Sequence, residues 1–463
     1  MSTLFRCPEH FFDNLQKHLL GKNDGREHAA FVFATPNQTD DEVIFDFIDW
    51  LPLGEGDYAV HGADYLELFD ETRARILKKA FDLNASLVEF HCHPSPVPAQ
   101  FSESDRAGLK EFVPHVWWRL KHRPYAAVVV GPSDFDGLAW LNDPKTPVQL
   151  DGILVGDTLH RPTRHTLPTW RAQSNRFDRN IRLFGVEGQK KICRASVAVV
   201  GCGGLGTHVI QQLAYLGIGS GAFIDDEVVD ETNPNRYVGL LHTDPVPGMP
   251  KVELAEKIAQ LIDPAISTRK IFDSLTTPAA FDAIKNADYV FGCLDDDGAR
   301  LILNELCQAY SLQYFDLASD VLPGPPLAFG GRVCVSWDGD GCPVCLGALD
   351  LMSAQRDMET PEDRANREAI YGVNRKLLGE TGPSVVSING VVASLAVTEF
   401  MVAVTGIRRP QRLMNYYGHQ SSTRPSTDQP NQDCYYCKGI RGRRKEANVE
   451  RYLKIKGRKK RSA

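Results

Sequence analysis

The sequence contains no apolar run expected to span a membrane, and its first residues mix charged and aromatic side chains where a secretory leader needs an apolar core. Those absences give a cytoplasmic expectation with no membrane partner. Basic excess is missing too: 52 Lys+Arg stand against 59 Asp+Glu, a formal net charge of −7, which argues against a whole-molecule nucleic-acid binder. The 11 cysteines are scattered through 463 residues, so disulfides are not the framework. The chain is too long for one core, and two domains plus a tail are expected.

What is present centres on residues 176–236. An apolar run at 197–200 reads as a buried parallel strand, followed by Gly201, Gly203 and Gly206 in G-x-G-x-x-G spacing and a helical segment at 207–216. A second apolar stretch ends in Asp225 and Asp226. This is a mononucleotide-binding βαβ unit: glycines let the backbone approach phosphate, a helix N-terminus faces it, and an acid holds ribose hydroxyls. NAD, FAD and ATP enzymes all use that unit, so its surroundings decide.

Residues 1–160 read as an α+β domain. Helices are expected at 9–20, 64–83 and 102–113, and strands at 29–34, 43–48, 87–90, 126–130 and 137–141, with a polar turn at 35–41. The strand at 87–90 runs into His91-Cys92-His93-Pro94. His91 and His93 are two apart, so both point to one face. Asp105 follows one turn inside the next helix. Two imidazoles and one carboxylate leave a fourth position open, the ligand count of a catalytic zinc. Its water needs a general base, and Glu27, opening the strand before Phe33, is the candidate. His-x-His-Pro also fits a polar patch at a strand end, and Ser102 to Asp105 a helix capping box.

In combination, Glu27, His91-x-His93-Pro94 and Ser102-x-x-Asp105 resemble the JAB/MPN (JAMM) metallopeptidase family, whose members cut peptide or isopeptide bonds after ubiquitin-like tails. The resemblance implies His91, His93 and Asp105 as zinc ligands, Glu27 as acid/base, and Ser102 as a hydroxyl stabilising the oxyanion.

Residues 161–170 read as a linker and 171–437 as a second domain. Before the glycine loop stands Arg179; after it come Asn233, Arg236 and Pro250-Lys251 opening a helix, then a strand at 288–295 ending in Asp295. This succession resembles the ThiF/MoeB/ubiquitin-activating-enzyme family, Rossmann-like doubly wound proteins that adenylate the C-terminal glycine of a ubiquitin-fold protein. The resemblance implies that Asp225 binds the ribose of ATP and that Asn233, Arg236 and Lys251 contact the phosphates. It further implies that Asp295 holds Mg²⁺ and helps position the acyl tail, and that Arg179 reaches across a homodimer interface. An NAD enzyme needs none of these cations.

Cys342-x-x-Cys345 and Cys434-x-x-Cys437 form two knuckles of a four-thiolate structural zinc site. Ubiquitin-activating enzymes carry a nucleophilic cysteine after the first knuckle, yet residues 346–394 contain none. Either the reaction stops at the acyl-adenylate, or a hydroxyl such as Thr381 accepts the acyl group. Residues 352–378 read as a crossover segment and 385–404 as a buried strand running into a helix. Residues 438–463 are basic and read as a solvated tail, or as a hook for an acidic partner, a conjugating enzyme or nucleic acid. The leading expectation is a fusion of a modifier-processing zinc peptidase with the activating enzyme for the same modifier. The second is a sulfur-carrier adenylyltransferase, although no rhodanese-like segment is present.

Overall fold

The computed structural model describes residues 2–22, 24–39, 42–63, 65–93, 99–131, 134–162, 172, 174–322, 325–358 and 383–454. The chain divides into two compact units, Met1–Thr166 and Leu167–Ala463. Of the expected linker, residues 163–170 lie outside the described residues, as do Pro94, the crossover from 359 onward, Thr381, and the tail from 455.

In the first unit the strands are β1 (Ser2–Cys7), β2 (Ala29–Gln38), β3 (Glu42–Pro52), β4 (Tyr58–His61), β5 (Leu66–Leu68), β6 (Ser86–Cys92), β7 (Tyr125–Val130), β8 (Phe135–Trp140), β9 (Val148–Gln149), β10 (Gly152–Val155) and β11 (Thr158–His160). The helices are α1 (Glu9–Leu20), α2 (Asp70–Asp82) and α3 (Glu103–Arg119). Among the described residues, nine strands form one mixed sheet in the order β11-β10-β1-β3-β2-β6-β7-β8-β9, and β4 and β5 form a separate pair.

Period-two alternation splits the strand side chains between two apolar layers. Val88, Phe90 and Cys92 of β6 join Phe11, Leu15 and Leu19 of α1 on one face. Leu87 of β6 and Tyr125 and Val129 of β7 face Ile76 of α2 and Val113 and Trp117 of α3 on the other. The alternation therefore aims Glu89 and His91 at the α2/α3 side.

Several expectations are corrected here. The helix expected from 64 starts at Asp70, because Leu66 to Leu68 pair with β4 and the acids Asp70 and Glu71 occupy the first helical turn. The polar turn at 35–41 is shorter, since Thr35 to Gln38 continue β2 against Val43 to Asp46. Strands β1 and β9 to β11 lie outside the expected set: β9 to β11 are only two to four residues long, and β1 pairs with the distant β10.

The second unit contains α4 (Asp178–Arg194), β12 (Ser196–Val200), α5 (Gly204–Leu216), β13 (Ser220–Ile224), α6 (Lys251–Ile262), β14 (Ser267–Ile271), α7 (Pro278–Lys285), β15 (Tyr289–Gly292), α8 (Asp297–Ala309), β16 (Gln313–Leu322), β17 (Ala328–Ser336), α9 (Leu351–Met358), α10 (Val386–Thr405), β18 (Leu413–Tyr417) and β19 (Ser422–Pro425). The sheet order is β14-β13-β12-β15-β16-β17-β18-β19, parallel through β16 and antiparallel beyond. Helices cover both faces. Residues of α5, α6 and α10 pack against Val197 and Val199. Residues of α7 and α8 pack against Ala198 and Val200 on the other side. The chain moves from β12 out to β14, then returns to β15 on β12's far side, so a topological switch point opens between β12 and β15.

Two corrections concern the end of this unit. Val386–Thr405 is one continuous helix rather than a strand leading into one; Val385 is its extended N-cap. Its 20 residues have a mean hydropathy of 1.7, so an apolar stretch of membrane-spanning length and composition does exist. That helix packs on α4, α5, β16 and β17. Its buried Glu399 is held by Arg408 through bonds of 2.7 and 2.8 Å. Nor does a solvated tail begin at 438. Arg441 and Arg444 are buried, and Ile440, Ala447, Val449 and Tyr452 join the core on the α8 face. Arg451 pairs with the buried Glu305 of α8, and Lys285 donates to Glu450 over 3.0 Å.

Candidate functional sites

In the first unit, β6 delivers His91 and the residue after its end, His93, while the first turn of α3 delivers Asp105. One ligand atom from each lies within 4.8 Å of the others. His93 Nε2 is 3.3 Å from Asp105 Oδ2, and His91 Nε2 is 3.6 Å from the same oxygen. Glu27 Oε1 is 3.3 Å from His93 Nε2. The Glu27 backbone is fixed by its own amide bonding Gly62 O at 2.9 Å and by His61 Nε2, 3.0 Å from its carbonyl.

The donor set fits a metal ion. Both ring nitrogens of His91 are buried without a hydrogen-bond partner. Burial opposes the charged imidazole, yet the Asp105 and Glu89 carboxylates override it and push His91 up to about 10. Burial likewise works to raise Asp105, but His91 and His93 hold its carboxyl far below the usual range. The carboxylates therefore favour positive charge at this cluster. The capping-box reading also holds: Asp105 N–H donates to Ser102 Oγ, and Ser102 N–H donates to Asp105 Oδ2. The two readings are compatible. Ser102 Oγ also lies 2.8 Å from Ser104 Oγ. Beside the cluster opens a cavity of about 1040 Å³, with Glu89, His91 and Asp105 at one end and Phe31, Leu77 and Phe112 along its apolar wall.

In the second unit the glycine loop joins β12 to α5 at the switch point. Gly201 has φ +91°, and a Cβ there would meet Cys293 O at 2.5 Å; a Cβ on Gly206 would meet Gly201 O at 2.0 Å. The glycines are thus required by close backbone approach. The N-terminus of α5 opens on this loop and carries about half a positive charge. Asp225, at the end of β13, accepts from Cys202 N–H at 2.7 Å and Glu227 N–H at 2.9 Å. Burial raises its pKa while Lys251 opposes the rise.

Lys251, at the start of α6, is buried and pairs with Glu227. Burial disfavours its ammonium, but Asp225, Tyr237 and Glu227 hold its pKa above the ordinary lysine value. Lys251 Nζ and Arg236 Cζ lie 5.6 and 5.4 Å from the Tyr237 ring centroid. The Tyr237 hydroxyl is 3.4 Å from where Gly203 would carry a Cβ. Two cations therefore stand beside a phenol whose hydroxyl reaches the glycine turn. Asn233 is buried and committed to its own loop: Nδ2 donates to Asp230 Oδ1 at 2.8 Å and Oδ1 accepts from Asp230 N–H at 3.2 Å. Asp295 is exposed just beyond β15, and neighbouring Asp296 caps α8 by accepting from Ala299 N–H at 2.6 Å. The Arg179 side chain is 88% exposed.

Residues 177–436 match one protein family, described as the ThiF family. The chain belongs to the ThiF family. Among similar curated proteins is a Sus scrofa "Adenylyltransferase and sulfurtransferase MOCS3", 32% identical over 235 residues, covering 49% of this chain and 44% of that protein. Another is the Escherichia coli (strain K12) "Sulfur carrier protein ThiS adenylyltransferase", 28% identical over 252 residues, covering 53% of this chain and 88% of that protein. Escherichia coli MccB, solved with AMPCPP and MccA, superposes with a TM-score of 0.45 at 21% identity, over 57% of this chain and 74% of that one. The chain spans 36% and 44% of the length of the Arabidopsis thaliana and Sus scrofa MOCS3 proteins. The ThiF match begins after the first unit.

The ThiF unit also brings its four knuckle cysteines together, all with free thiols. Sγ–Sγ distances are 3.7 Å for Cys342–Cys434, 3.8 Å for Cys345–Cys437 and 3.9 Å for Cys342–Cys345. A tetrahedron of zinc–sulfur bonds near 2.3 Å has edges of about 3.8 Å, so the donor set fits zinc.

Tyr237 and Glu227 beside Lys251, and Glu89 beside His91, stand outside the sequence motifs. So does the buried pair Arg300–Asp316, in which Arg300 Nε donates to Asp316 Oδ1 at 2.9 Å. Glu89 had a usable signal, since it stands two residues before His91 and so shares its face.

Proposed function

We propose that the ThiF unit adenylates the C-terminal glycine carboxylate of a ubiquitin-like protein with ATP and Mg²⁺. The supporting observation is that Arg236 and Lys251 both lie against the ring of Tyr237, whose hydroxyl reaches the glycine turn. A carboxylate and a triphosphate repel each other, and fixed cations aimed at the α-phosphate offset that repulsion in the transition state. A carboxylate oxygen attacks the α-phosphorus, the bond to the bridging oxygen breaks, and pyrophosphate leaves. Asp225 receives the ribose hydroxyls. Asp295 is the proposed Mg²⁺ residue, its ion supplying charge neutralisation. Arg179, with its side chain in solvent, is proposed to reach the site of a second copy in a homodimer.

The first unit is proposed to be a JAB/MPN-type zinc peptidase acting on the tail of the same modifier. His91, His93 and Asp105 would hold zinc, which polarises a water and the scissile carbonyl. Glu27 would take the proton from that water and return it to the leaving amine. Ser102 would donate its hydroxyl to the oxyanion, and the adjoining cavity would receive the substrate. Covalent linkage of the two activities raises the effective concentration of a tail released by one and used by the other.

A sulfur-carrier substrate is the second reading, favoured by the likeness to MOCS3 and to the ThiS adenylyltransferase. The lack of a cysteine in residues 346–394 suits both readings, because the adenylate is then released to another protein's nucleophile, a conjugating enzyme or a sulfur donor. The test is modifier-dependent ATP–pyrophosphate exchange. Arg236→Ala and Lys251→Ala are each expected to lower it about 100-fold or more. Exchange at the unaltered rate in both variants would sink the proposal. Mass spectrometry of the partner separates a protein conjugate from a thiocarboxylate.

A further inference from the structure

We propose that Glu89, anchored by Tyr125, is the positioning residue for His91 at the first-unit site; the inference rests on the zinc reading above. In β6, Glu89 and His91 are two residues apart and share the α2/α3 face of the sheet. Glu89 Oε1 lies 3.7 Å from His91 Nδ1. Its other oxygen, Oε2, accepts a hydrogen bond from the Tyr125 hydroxyl. Tyr125 opens the neighbouring strand β7, where it pairs with Leu87, and it is fully buried. The phenol therefore pins one carboxylate oxygen and leaves the other turned to the imidazole.

A neutral imidazole has one N–H and one lone pair, and only one arrangement serves a metal here. Nε2 faces Asp105 Oδ2 at 3.6 Å and so points into the ligand cluster. The lone pair must be on Nε2 and the proton on Nδ1. The carboxylate beside Nδ1 favours that tautomer and holds the ring's orientation, as outer carboxylates do behind metal-bound histidines. Glu89 stands outside the ligand set: among the described residues of the first unit, His91, His93 and Asp105 are the group whose ligand atoms lie within 4.8 Å of one another. Burying most of a carboxylate and a phenol beside each other is costly unless they pair, and the Tyr125 hydroxyl pairs with one oxygen while the other faces His91 Nδ1.

The experiment uses the full chain and reads zinc affinity by competition with a chromophoric chelator, the four-cysteine site serving as the internal control. Glu89→Gln is expected to weaken the first-unit zinc about 10- to 100-fold while the cysteine site is unchanged. Tyr125→Phe, which keeps the ring packing, is expected to shift it the same way by less. Cobalt loaded into the first unit should give an altered d–d spectrum in Glu89→Gln even at full occupancy. First-unit zinc held with unaltered affinity in both variants overturns the positioning role. If the unaltered chain binds one zinc only, and His91→Ala does not change that number, the zinc reading itself fails and this inference fails with it.

Discussion

Ser102 and Asp105 cap one another: Asp105 N–H donates to Ser102 Oγ at 3.1 Å, and Ser102 N–H donates to Asp105 Oδ2 at 2.7 Å. That same Oδ2 stands 3.3 Å from His93 Nε2. The start of α3 therefore both satisfies its own backbone and aims a carboxylate at His91 and His93. Ser102→Ala is expected to cost about 1 kcal/mol of stability through the lost cap. Zinc affinity should fall with it, because Asp105 loses one of its restraints. Denaturation and chelator competition on the same variant check both outcomes, and unchanged zinc affinity would separate the cap from the ligand geometry.

Zinc analysis of the full chain should return two metals. His91→Ala should leave one, with loss of tail cleavage and retained pyrophosphate exchange. Cys437→Ser should also leave one, but its cost should be thermal stability of the ThiF unit, because a closed thiolate site contributes folding free energy.

Adding a methyl group to the phosphate turn should abolish nucleotide chemistry. Gly206→Ala would bring a Cβ to 2.0 Å from Gly201 O, which is backbone and has no rotamer to escape through. ATP–pyrophosphate exchange is expected to drop below detection while peptidase activity persists. Normal exchange would mean that the nucleotide lies elsewhere.

Arg300 is buried against the fully buried Asp316, which also accepts from the Tyr314 hydroxyl at 3.0 Å. Asp316→Ala removes the carboxylate that takes two of the guanidinium's bonds and leaves it Asp297 Oδ1 at 2.6 Å and Ala348 O at 3.0 Å. The expected loss is about 3–5 kcal/mol, read as a shift of the ThiF unit's urea transition. A double change to apolar residues should recover part of it.

Much of this was legible because the signals are local. The glycine spacing, the acid after the second strand, and the two C-x-x-C knuckles depend on residues a few positions apart. His91 and His93 were legible by strand alternation, and the same rule extends to Glu89. The rest needed tertiary context. Nothing near Arg300 in sequence announces Asp316. Helix α10 is apolar around its whole circumference, so period gave no clue to helix or strand along 385–404. The basic run after Cys437 carried the composition of a solvated segment, yet Ile440, Val449 and Tyr452 are spaced to reach α8. Asn233 kept its place in the motif but spends its amide on Asp230.

Strand β1 sits between β3 and β10, parallel to both, with Leu4 beside Ile44 and Gly152. Residues 2–7 are thus an inner plank of the first unit's sheet, and one of their two partners, β10, is translated about 150 residues later. Until β10 has been made, β1 has an unpaired edge, and the nascent first unit exposes a sheet surface open to mispairing. Chaperone demand during synthesis should therefore peak before the ThiF half begins to appear.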